Sequence, residues 1–268
     1  MNADLALAVA AAKEAGALAL SMLGSESWDK SPNNPVSHAD IEVDRMLKTR
    51  LLEARPDYGW LSEETADNAD RLEKRALWVV DPIDGTRDFL RGRKGWAVSV
   101  ALVVDGEVQV GVLDAPALGV CFAAARGEGA TRNGQAIRVS GRLTAAGLRL
   151  PVDPQLITSK LWTAPLNAVA VYKPNGIALR IAMIACNEAD AVFDGRASNE
   201  WDVAAAALIV EEAGGTITDR EGMPYAYNKP APTTLGLVAS TPALHGEMMA
   251  WLAEARAALT RAGIRVER

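Results

Sequence analysis

The feature that most constrains this chain is an apolar predicted strand that ends directly on acidic residues. The strand covers residues 76–80 and is followed by Asp81-Pro82-Ile83-Asp84-Gly85-Thr86. In α/β sheets, ligands bind at the edge where the strands end. Proline fixes its own φ and disfavours helix at the preceding residue, so the turn can bring Asp84 round to the side of Asp81 and point the Ile83 carbonyl inward. The run therefore predicts an α/β or α+β fold with a site at this strand end.

Two further acidic clusters lie far from this run in the sequence. Ser62-Glu63-Glu64 ends another predicted strand, and Trp201-Asp202 opens an alanine-rich predicted helix. Carboxylates at strand and helix ends are the ligands that hard cations such as Mg²⁺ need. The residues after Asp84 read as the first turn of a short helix, whose free N–H groups suit a phosphate. Each cluster alone also fits a helix cap or a surface turn, but their combination favours a metal-dependent phosphatase.

Composition narrows the class of protein further. The chain has 268 residues, of which 49% are hydrophobic and 23% charged, so it forms one large domain or two modest ones. A net charge of −6 argues against binding a nucleic-acid polymer. Two cysteines and two histidines cannot make a disulfide framework or a histidine-rich zinc site, and we expect Cys121 and Cys186 in the core.

The apolar N-terminal segment, residues 5–23, is interrupted by Lys13 and Glu14. It lacks the charged start of a signal peptide and the unbroken length of a membrane span. We therefore expect a packing helix in a cytoplasmic protein, with no stable insertion in a membrane.

The pattern of elements predicts two halves that each contain a sheet. The first half reads as a helix over 3–23, a polar loop around Pro32 and Pro35, a helix that starts near Asp40 and stops before Pro56, and strands at 58–62, 76–80, 96–104, 107–113, 119–125 and 135–139. The second half reads as strand 168–172, helix 176–188, extended segment 191–193, helix 201–213, strand 235–240 and helix 243–262. We expect a boundary near 141–155, so that residues 1–145 carry Glu63 and the run 81–86, residues 146–268 carry Asp202, and the halves form one compact catalytic unit.

These motifs resemble those of the inositol monophosphatase superfamily. The resemblance rests on Glu63-Glu64, on the run 81–86, on Trp201-Asp202-Val203-Ala204-Ala205-Ala206 and on Glu212-Ala213-Gly214-Gly215, in their order and separations over nearly the whole chain. It implies a layered α-β-α-β-α sandwich of the inositol monophosphatase and fructose-1,6-bisphosphatase type. It also implies a Mg²⁺-dependent, often lithium-sensitive phosphomonoesterase.

The resemblance also assigns roles to residues. It implies metal ligands at Glu63, Asp81, Asp84, Asp202 and the Ile83 carbonyl, for two and up to three Mg²⁺ ions per site. Thr86, paired with Asp40, would orient the attacking water, and Glu63 would accept a proton from it, with no covalent phosphoenzyme. Substrate contacts are expected from Asp84, Gly85, Thr86, Asp202 and Arg180. We expect the neighbouring Arg87 and Asp88 to be surface charges.

The sequence indicates less clearly which phosphate ester is the substrate, that is, which leaving group remains after the phosphate is removed. Inositol monophosphatases usually carry an acidic residue seven positions before the aspartate of the Trp-Asp motif, where this chain has Gly195 beside Asp194. The stretch Ser198-Asn199-Glu200-Trp201-Asp202 looks more like bacterial 3'(2'),5'-bisphosphate nucleotidases, which remove the 3'-phosphate of adenosine 3',5'-bisphosphate. Their Gly-Ser-Ser-Leu-Lys is here Gly176-Ile177-Ala178-Leu179-Arg180. Arg180, Lys173 and Arg196 are thus candidates to meet a second phosphate or a base.

Several alternatives stay open at this point. We favour the bisphosphate nucleotidase over an inositol-1-monophosphatase, with histidinol-phosphatase and fructose-1,6-bisphosphatase as further candidates. A haloacid-dehalogenase phosphatase is disfavoured because its nucleophilic aspartate would fall at Pro82. A non-catalytic, phosphate-binding interaction module is the alternative from another class. The expected partner is a small phosphate ester, and a homodimer is compatible with relatives that include dimers and monomers.

Overall fold

The computed structural model describes residues 2–160, 162–164, 166–261 and 263. Its helices are α1 (Ala3–Ser21), α2 (His38–Ala54), α3 (Thr86–Leu90), α4 (Pro154–Ile157), α5 (Ile177–Ala185), α6 (Glu200–Glu212) and α7 (His245–Arg261). Its strands are β1 (Ser27–Ser31), β2 (Asn34–Ser37), β3 (Gly59–Ser62), β4 (Ala76–Asp84), β5 (Ala97–Val104), β6 (Glu107–Ala115), β7 (Val120–Ala125), β8 (Gly129–Arg132), β9 (Gln135–Ala136), β10 (Leu148–Leu150), β11 (Ala168–Ala170), β12 (Ala191–Asp194), β13 (Ser198–Asn199), β14 (Thr216–Thr218), β15 (Thr233–Thr234) and β16 (Leu237–Ser240).

A seven-stranded sheet in the order β3-β4-β5-β6-β7-β8-β9 forms the centre of the first half. β3 and β4 run parallel, and the remaining neighbours are antiparallel. Alternate side chains of β4 face opposite sides, as the two-residue repeat of a strand requires. Trp78 and Val80 pack with α1 and α2, whereas Leu77 and Val79 pack with α5 and α6. The sheet is therefore covered by helices on both faces.

A second, three-stranded sheet in the order β12-β16-β14 lies on the far side of α5 and α6. Ile217 and Leu237 pack towards these two helices, while Val238 packs with Met248 and Leu252 of α7. The layers thus run helix, sheet, helix, sheet, helix. This order confirms the predicted layered α/β sandwich with a mixed central sheet.

The sequence prediction was wrong at several elements. The polar loop around Pro32 and Pro35 is a hairpin of β1 and β2. The strand predicted over 135–139 is limited to β9, and the short elements β8, β10, α4, β13, β14 and β15 were missed. The last helix begins at His245 after a 3₁₀ turn, Pro242–Leu244; it was predicted to reach residue 262, which lies outside the described residues.

The apolar N-terminal segment forms α1, which packs against the central sheet as expected. Cys121 is buried and Cys186 is partly buried at the end of α5. None of the helices in the described part of the chain combines the length and apolar character needed to cross a membrane.

Candidate active site

A cleft of about 380 Å³ opens where β3 and β4 end. It brings together side chains from both halves of the sequence. The predicted site residues that line it are Glu63, Asp81, Ile83, Asp84, Gly85, Thr86, Arg180 and Asp202. Asp40, predicted to act with Thr86, does not line it and contacts the cleft through Thr86.

The end of β4 positions Asp81 and Asp84. Pairing with β5 is interrupted between these two residues, because Pro82 cannot donate a ladder hydrogen bond. Asp81 is 2% exposed, and its Oδ1 accepts from the Ile83 N–H at 3.0 Å. The turn thus directs both aspartates and the intervening residues towards one cleft, as the sequence predicted.

Asp84 also joins the two halves of the molecule. Its Oδ1 accepts from the Ile177 N–H at 3.0 Å, and its Oδ2 accepts from the Ala178 N–H at 2.9 Å. The carboxylate therefore caps the first turn of α5, which favours a negative charge at that position. Each oxygen has a further lone pair for another ligand.

Glycines allow the main chains to meet beside Asp84. Gly85 has φ +97, and a Cβ on it would lie 2.8 Å from both the Gly176 nitrogen and the Gly95 oxygen. A Cβ on Gly176 would lie 2.5 Å from Asp84 Oδ2. The Gly176 N–H donates to the Gly95 carbonyl at 2.9 Å. We call these three residues the glycine seam; it leaves no room for side chains.

Asp40 and Thr86 form the predicted pair. Ser37 is the N-cap of α2, and its N–H and hydroxyl both donate to Asp40 Oδ2, at 2.8 and 2.6 Å. This capping box explains why the helix starts at His38, two residues before the predicted start. Thr86 Oγ1 lies 3.3 Å from Asp40 Oδ1 and 3.2 Å from the Ile83 carbonyl oxygen. The hydroxyl can donate to one of them at a time and still accept from a third group.

Asp202 and Glu63 complete the acidic wall of the cleft, which we define as Glu63, Asp81, Asp84 and Asp202. Asp202 is the third residue of α6, and its Oδ2 accepts from the Asn199 N–H at 2.7 Å. Glu63 follows β3, and its N–H donates to the Val80 carbonyl. The start of α6 and the end of β3 thus each supply a carboxylate to the same cleft.

The pKa values of the acidic wall indicate that its carboxylates lie close enough to repel one another. Burial, together with the charges of Glu63, Asp84 and Asp202, raises the pKa of Asp81 well above its ordinary value. Burial, followed by the charges of Asp84 and Glu63, raises the pKa of Asp202 to about 8. Burial raises the pKa of Asp84 to about 6. A cation in the cleft would reverse these shifts.

The donor set suits Mg²⁺ in its chemistry. It consists of carboxylate oxygens and one carbonyl, the ligands that hard divalent cations prefer. Asp81 and Asp202 each use one oxygen to fix their own turn. Among the described residues, however, no three Asp, Glu, His or Cys side chains stand close enough together to form a ready-made metal cage. Holding an ion would require these side chains to approach one another more closely.

Sequence reasoning missed a cation that pairs with the glutamates on this side of the cleft. Lys30, in the β1–β2 hairpin, places its Nζ 3.0 Å from Glu63 Oε1 and 2.7 Å from Glu64 Oε1. Burial lowers the pKa of Lys30, but the bonds and charges of the two glutamates outweigh it and raise the pKa overall. Burial raises the pKa of Glu64 to about 7. The strand carrying Lys30 is exposed throughout, so no buried face in the sequence marked it.

The opposite side of the cleft, which we call the leaving-group wall, consists of Asn175, Arg180, Asp194 and Arg196. Arg196 Nη2 lies 2.7 Å from Asp194 Oδ2, and the Arg196 N–H donates to Asp194 Oδ1 at 2.9 Å. Arg180 Nη2 donates to the Asn175 carbonyl at 3.3 Å, and burial lowers the pKa of Arg180. Two guanidinium groups therefore face one carboxylate on this wall.

Two further charged residues lie elsewhere than in the places the sequence suggested. Lys173 does not line the cleft; its Nζ pairs with Asp153 Oδ2 at 2.5 Å in a separate cavity. Asp88 is buried rather than exposed, because it packs under the residues before α5 and accepts from the Asn175 N–H at 3.1 Å. Arg87 is exposed, as expected.

Comparison with known proteins agrees with the fold. Residues 2–261 match the model of the inositol monophosphatase family. A histidinol-phosphatase of Chlorobaculum parvum is 32% identical over 230 residues, 83% of this chain and 88% of that protein. A Nus factor SuhB of Xylella fastidiosa is 35% identical over 201 residues, 72% of each chain. The solved structure of a Thermotoga maritima IMPase superposes with a TM-score of 0.82 at 28% identity, covering 94% of this chain and 97% of that chain.

The layered fold, the acidic cleft and these matches together define a phosphatase, a hydrolase of phosphomonoesters. The chain belongs to the inositol monophosphatase family, which confirms the resemblance found in the sequence. Members of this family are generally Mg²⁺-dependent.

Proposed function

We propose that this protein is a Mg²⁺-dependent phosphatase that releases the 3'-phosphate of adenosine 3',5'-bisphosphate. The observation that carries the proposal is the asymmetry of one cleft, in which an acidic wall faces a wall with two arginines and one aspartate. Cations bound at the acidic wall would hold the phosphoryl group that is cleaved. The arginines of the other wall would hold the phosphate that stays on the leaving group.

The metal ligands proposed are Glu63, Asp81, Asp84, Asp202 and the Ile83 carbonyl. When bound, two Mg²⁺ ions, or a third in addition, would neutralise the phosphate and lower the pKa of the attacking water. Lithium sensitivity would be expected of such a site.

The chain's own residues would orient the water and the phosphate. The Thr86 hydroxyl would donate a hydrogen bond to Asp40 Oδ1 and accept a hydrogen bond from the water, which keeps that proton. Glu63 would take the other proton of that water. The N–H groups of Gly85 and Thr86, at the start of α3, have no partner within that helix and could bind phosphate oxygens. We further propose that residues 1–145 and 146–268 are two halves of a single catalytic unit, since each supplies part of the cleft.

The charges of the leaving-group wall support a bisphosphate over the other candidates. Both oxygens of Asp194 are engaged by Arg196, so this carboxylate is poorly placed to accept from inositol hydroxyls. Hydrogen bonds and charge from Arg196 outweigh burial and lower the pKa of Asp194, which keeps the pair ionised. The additional positive charge of Arg180 would attract a second phosphate and repel the cationic amine of histidinol phosphate.

Histidinol phosphate and inositol 1-phosphate remain the second candidates. The likeness to a histidinol-phosphatase over 83% of the chain favours the first, and the family match favours the second. Fructose 1,6-bisphosphate also carries a second phosphate and shares the charge argument.

A substrate panel with and without Mg²⁺ tests the proposal. Phosphate release from adenosine 3',5'-bisphosphate, inositol 1-phosphate, histidinol phosphate and fructose 1,6-bisphosphate gives four values of kcat/KM to compare. We expect Mg²⁺-dependent turnover with the highest kcat/KM for adenosine 3',5'-bisphosphate. A higher value for another ester would assign the protein to that substrate. No turnover of any ester would favour the non-catalytic interaction module.

A further inference from the structure

A second cavity, of about 580 Å³, lies beside the active-site cleft. It is bordered by the connection between α3 and β5 and by the connection between β11 and α5. Four cationic residues line it: Arg91, Arg93, Lys94 and Lys173. We call it the basic cavity. Its volume is in the range of sites that bind small molecules, and its charge contrasts with the net charge of −6 of the whole chain.

The carboxylates in the basic cavity do not balance its cations. Lys173 pairs with Asp153 at 2.5 Å. Arg93 lies 3.8 Å from Asp88 Oδ1, whose other oxygen already accepts from the Asn175 N–H. Within the described residues, Arg91 and Lys94 have no carboxylate within salt-bridge distance. Two positive charges are therefore left facing this cavity.

Another cavity of the same protein shows that such an excess is not general. A cavity of about 330 Å³ on the outer face of α2 is lined by Arg45 and Arg50. Arg45 Nη2 lies 2.5 Å from Glu42 Oε2, and Arg50 Nε lies 3.5 Å from Glu14 Oε2. There each cation has its own carboxylate. The basic cavity therefore differs in charge balance and not only in the presence of arginines.

We propose that the basic cavity binds a phosphorylated small molecule with a planar ring, such as a nucleotide. The unpaired cations would bind the phosphate, and the ring of Tyr172, which is 55% exposed, offers a face for stacking. A second copy of this chain is a poorer occupant, because a symmetric contact would place the same cations opposite each other.

The position of the basic cavity links it to the active site. Asn175 lines both cavities, its N–H is held by Asp88, and its carbonyl accepts from Arg180. The next residues, Ile177 and Ala178, hold Asp84. A molecule in the basic cavity would thus contact the segment that supports both walls of the cleft. The two sources of such a phosphate are the distal end of the substrate, which the cavity would then share with the arginines of the leaving-group wall across Asn175, and a separate effector molecule.

Binding to the metal-free protein tests the site without reference to catalysis. Adenosine 5'-monophosphate is titrated into the full-length protein in EDTA, where the carboxylates of the acidic wall repel anions, and binding is followed by calorimetry. We expect the double variant R91E/K94E to weaken binding roughly tenfold or more, the loss that follows when charge-assisted hydrogen bonds are removed. The matched double variant R45E/R50E makes the same change in net charge at the balanced cavity. It should alter binding no more than about twofold, because charges beyond a Debye length are screened. Adenosine without phosphate should bind much more weakly than the monophosphate.

Kinetics in Mg²⁺ then distinguish the two sources. If the basic cavity takes the distal phosphate of the substrate, R91E/K94E raises KM for adenosine 3',5'-bisphosphate and leaves KM for inositol 1-phosphate unchanged. If the basic cavity takes a separate molecule, R91E/K94E leaves the KM values for both substrates unchanged. Adenosine 5'-monophosphate then alters turnover by the wild-type protein but not by the double variant. Absence of binding in EDTA at millimolar concentrations, or equal weakening by the two double variants, would overturn the proposal. The binding result in EDTA does not depend on which ester the active site hydrolyses, whereas the kinetic comparison rests on the proposed function.

Discussion

The two walls of the cleft are built in different ways. Asp81 and Asp84 on the acidic wall are 2% and 5% exposed, and main-chain N–H groups hold both. On the leaving-group wall, the side chain of Arg196 is 75% exposed and is held by its pair with Asp194. Buried side chains held by the main chain tolerate only replacements that keep their shape and their hydrogen bonds, whereas an exposed ion pair contributes little to stability. The comparison suggests that the fold fixes the phosphoryl chemistry, while replaceable side chains set the substrate.

The largest effect is expected from Asp81→Asn on the acidic wall. An amide oxygen can still accept from the Ile83 N–H, but it supplies no charge for a cation. We expect kcat/KM to fall about 10³-fold, comparable to the loss of a principal electrostatic group. The metal-free variant should be more stable than the wild type, because burial and neighbouring charges disfavour the ionised form of Asp81.

Asp105→Asn serves as the matched control for this variant. Asp105 lies in the turn between β5 and β6 with φ 52, a conformation that Asn tolerates, and it is far from the cleft. Activity should be unchanged there. Near-normal turnover of Asp81→Asn, with the melting temperature also unchanged, would contradict the proposed role of the acidic wall.

The next effect is expected at Thr86. Thr86→Ala removes the hydroxyl that bridges Asp40 and the proposed water, so kcat should fall about 10²-fold while KM changes little. Thr86→Ser keeps the hydroxyl and should recover most of the activity. Steady-state kinetics on both variants separate the two parameters. An effect on KM alone would show that Thr86 contacts the substrate and does not orient the water.

A smaller and selective effect is expected on the leaving-group wall. Arg180→Met keeps the length and the apolar stem of the side chain but removes its charge. We expect kcat/KM for adenosine 3',5'-bisphosphate to fall roughly tenfold, and that for inositol 1-phosphate to change much less. An equal loss for both substrates would mean that Arg180 supports the acidic wall instead, through its charge on Asp84.

The smallest expected effect is a dependence of the stability on pH, which arises from the acidic wall and not from the leaving-group wall. The pKa of Asp202 is about 8 and that of Asp84 about 6, both above the ordinary value for an aspartate. The folded state therefore binds these protons more tightly than the unfolded state, and this contribution to stability is lost as the pH rises towards about 8. Asp194 has a lowered pKa, so its contribution changes only in acid, below the ordinary aspartate range.

Thermal unfolding in EDTA checks this difference between the walls. The melting temperature of the metal-free protein should fall by a few degrees between about pH 5 and about pH 8. Asp202→Asn should reduce this slope, and Asp194→Asn should leave it unchanged. A melting temperature that rises with pH over this range would show that the acidic wall is not strained by its own charges.

The acidic wall could be predicted from the sequence because each of its carboxylates stands at the end of a strand or a helix. Such ends are visible in the pattern of apolar residues, and Asp81, Asp84 and Asp202 all follow this rule. The position of Asp88 could not be predicted in this way. It is buried by residues near Asn175, which are distant in the sequence, and no local pattern records that contact.

The leaving-group side was also harder to read, because Asn175 and Arg196 lie in loops while Arg180 and Asp194 belong to α5 and β12, so no shared sequence pattern marks them. Lys173 and Arg196 are both cations near the predicted helices, yet one pairs with Asp153 outside the cleft and the other with Asp194 inside it. Lys30 lies on an exposed strand without alternation of apolar residues. Lys173 and Lys30 are held by ion pairs with residues at least 20 positions away in the sequence. Arg196 pairs locally with Asp194, and whether that pair lies in the cleft depends on the packed structure.

The glycine seam has a consequence for how substrate preference can change. Gly85, Gly95 and Gly176 bring two stretches of main chain into contact with no side chain between them, so the gap across the cleft is set by backbone atoms alone. Randomising residues 194–198 in a library should therefore yield many folded proteins that differ in which esters they hydrolyse best. Randomising the three glycines should yield almost no folded proteins, since an added methyl group would push the two main-chain segments apart.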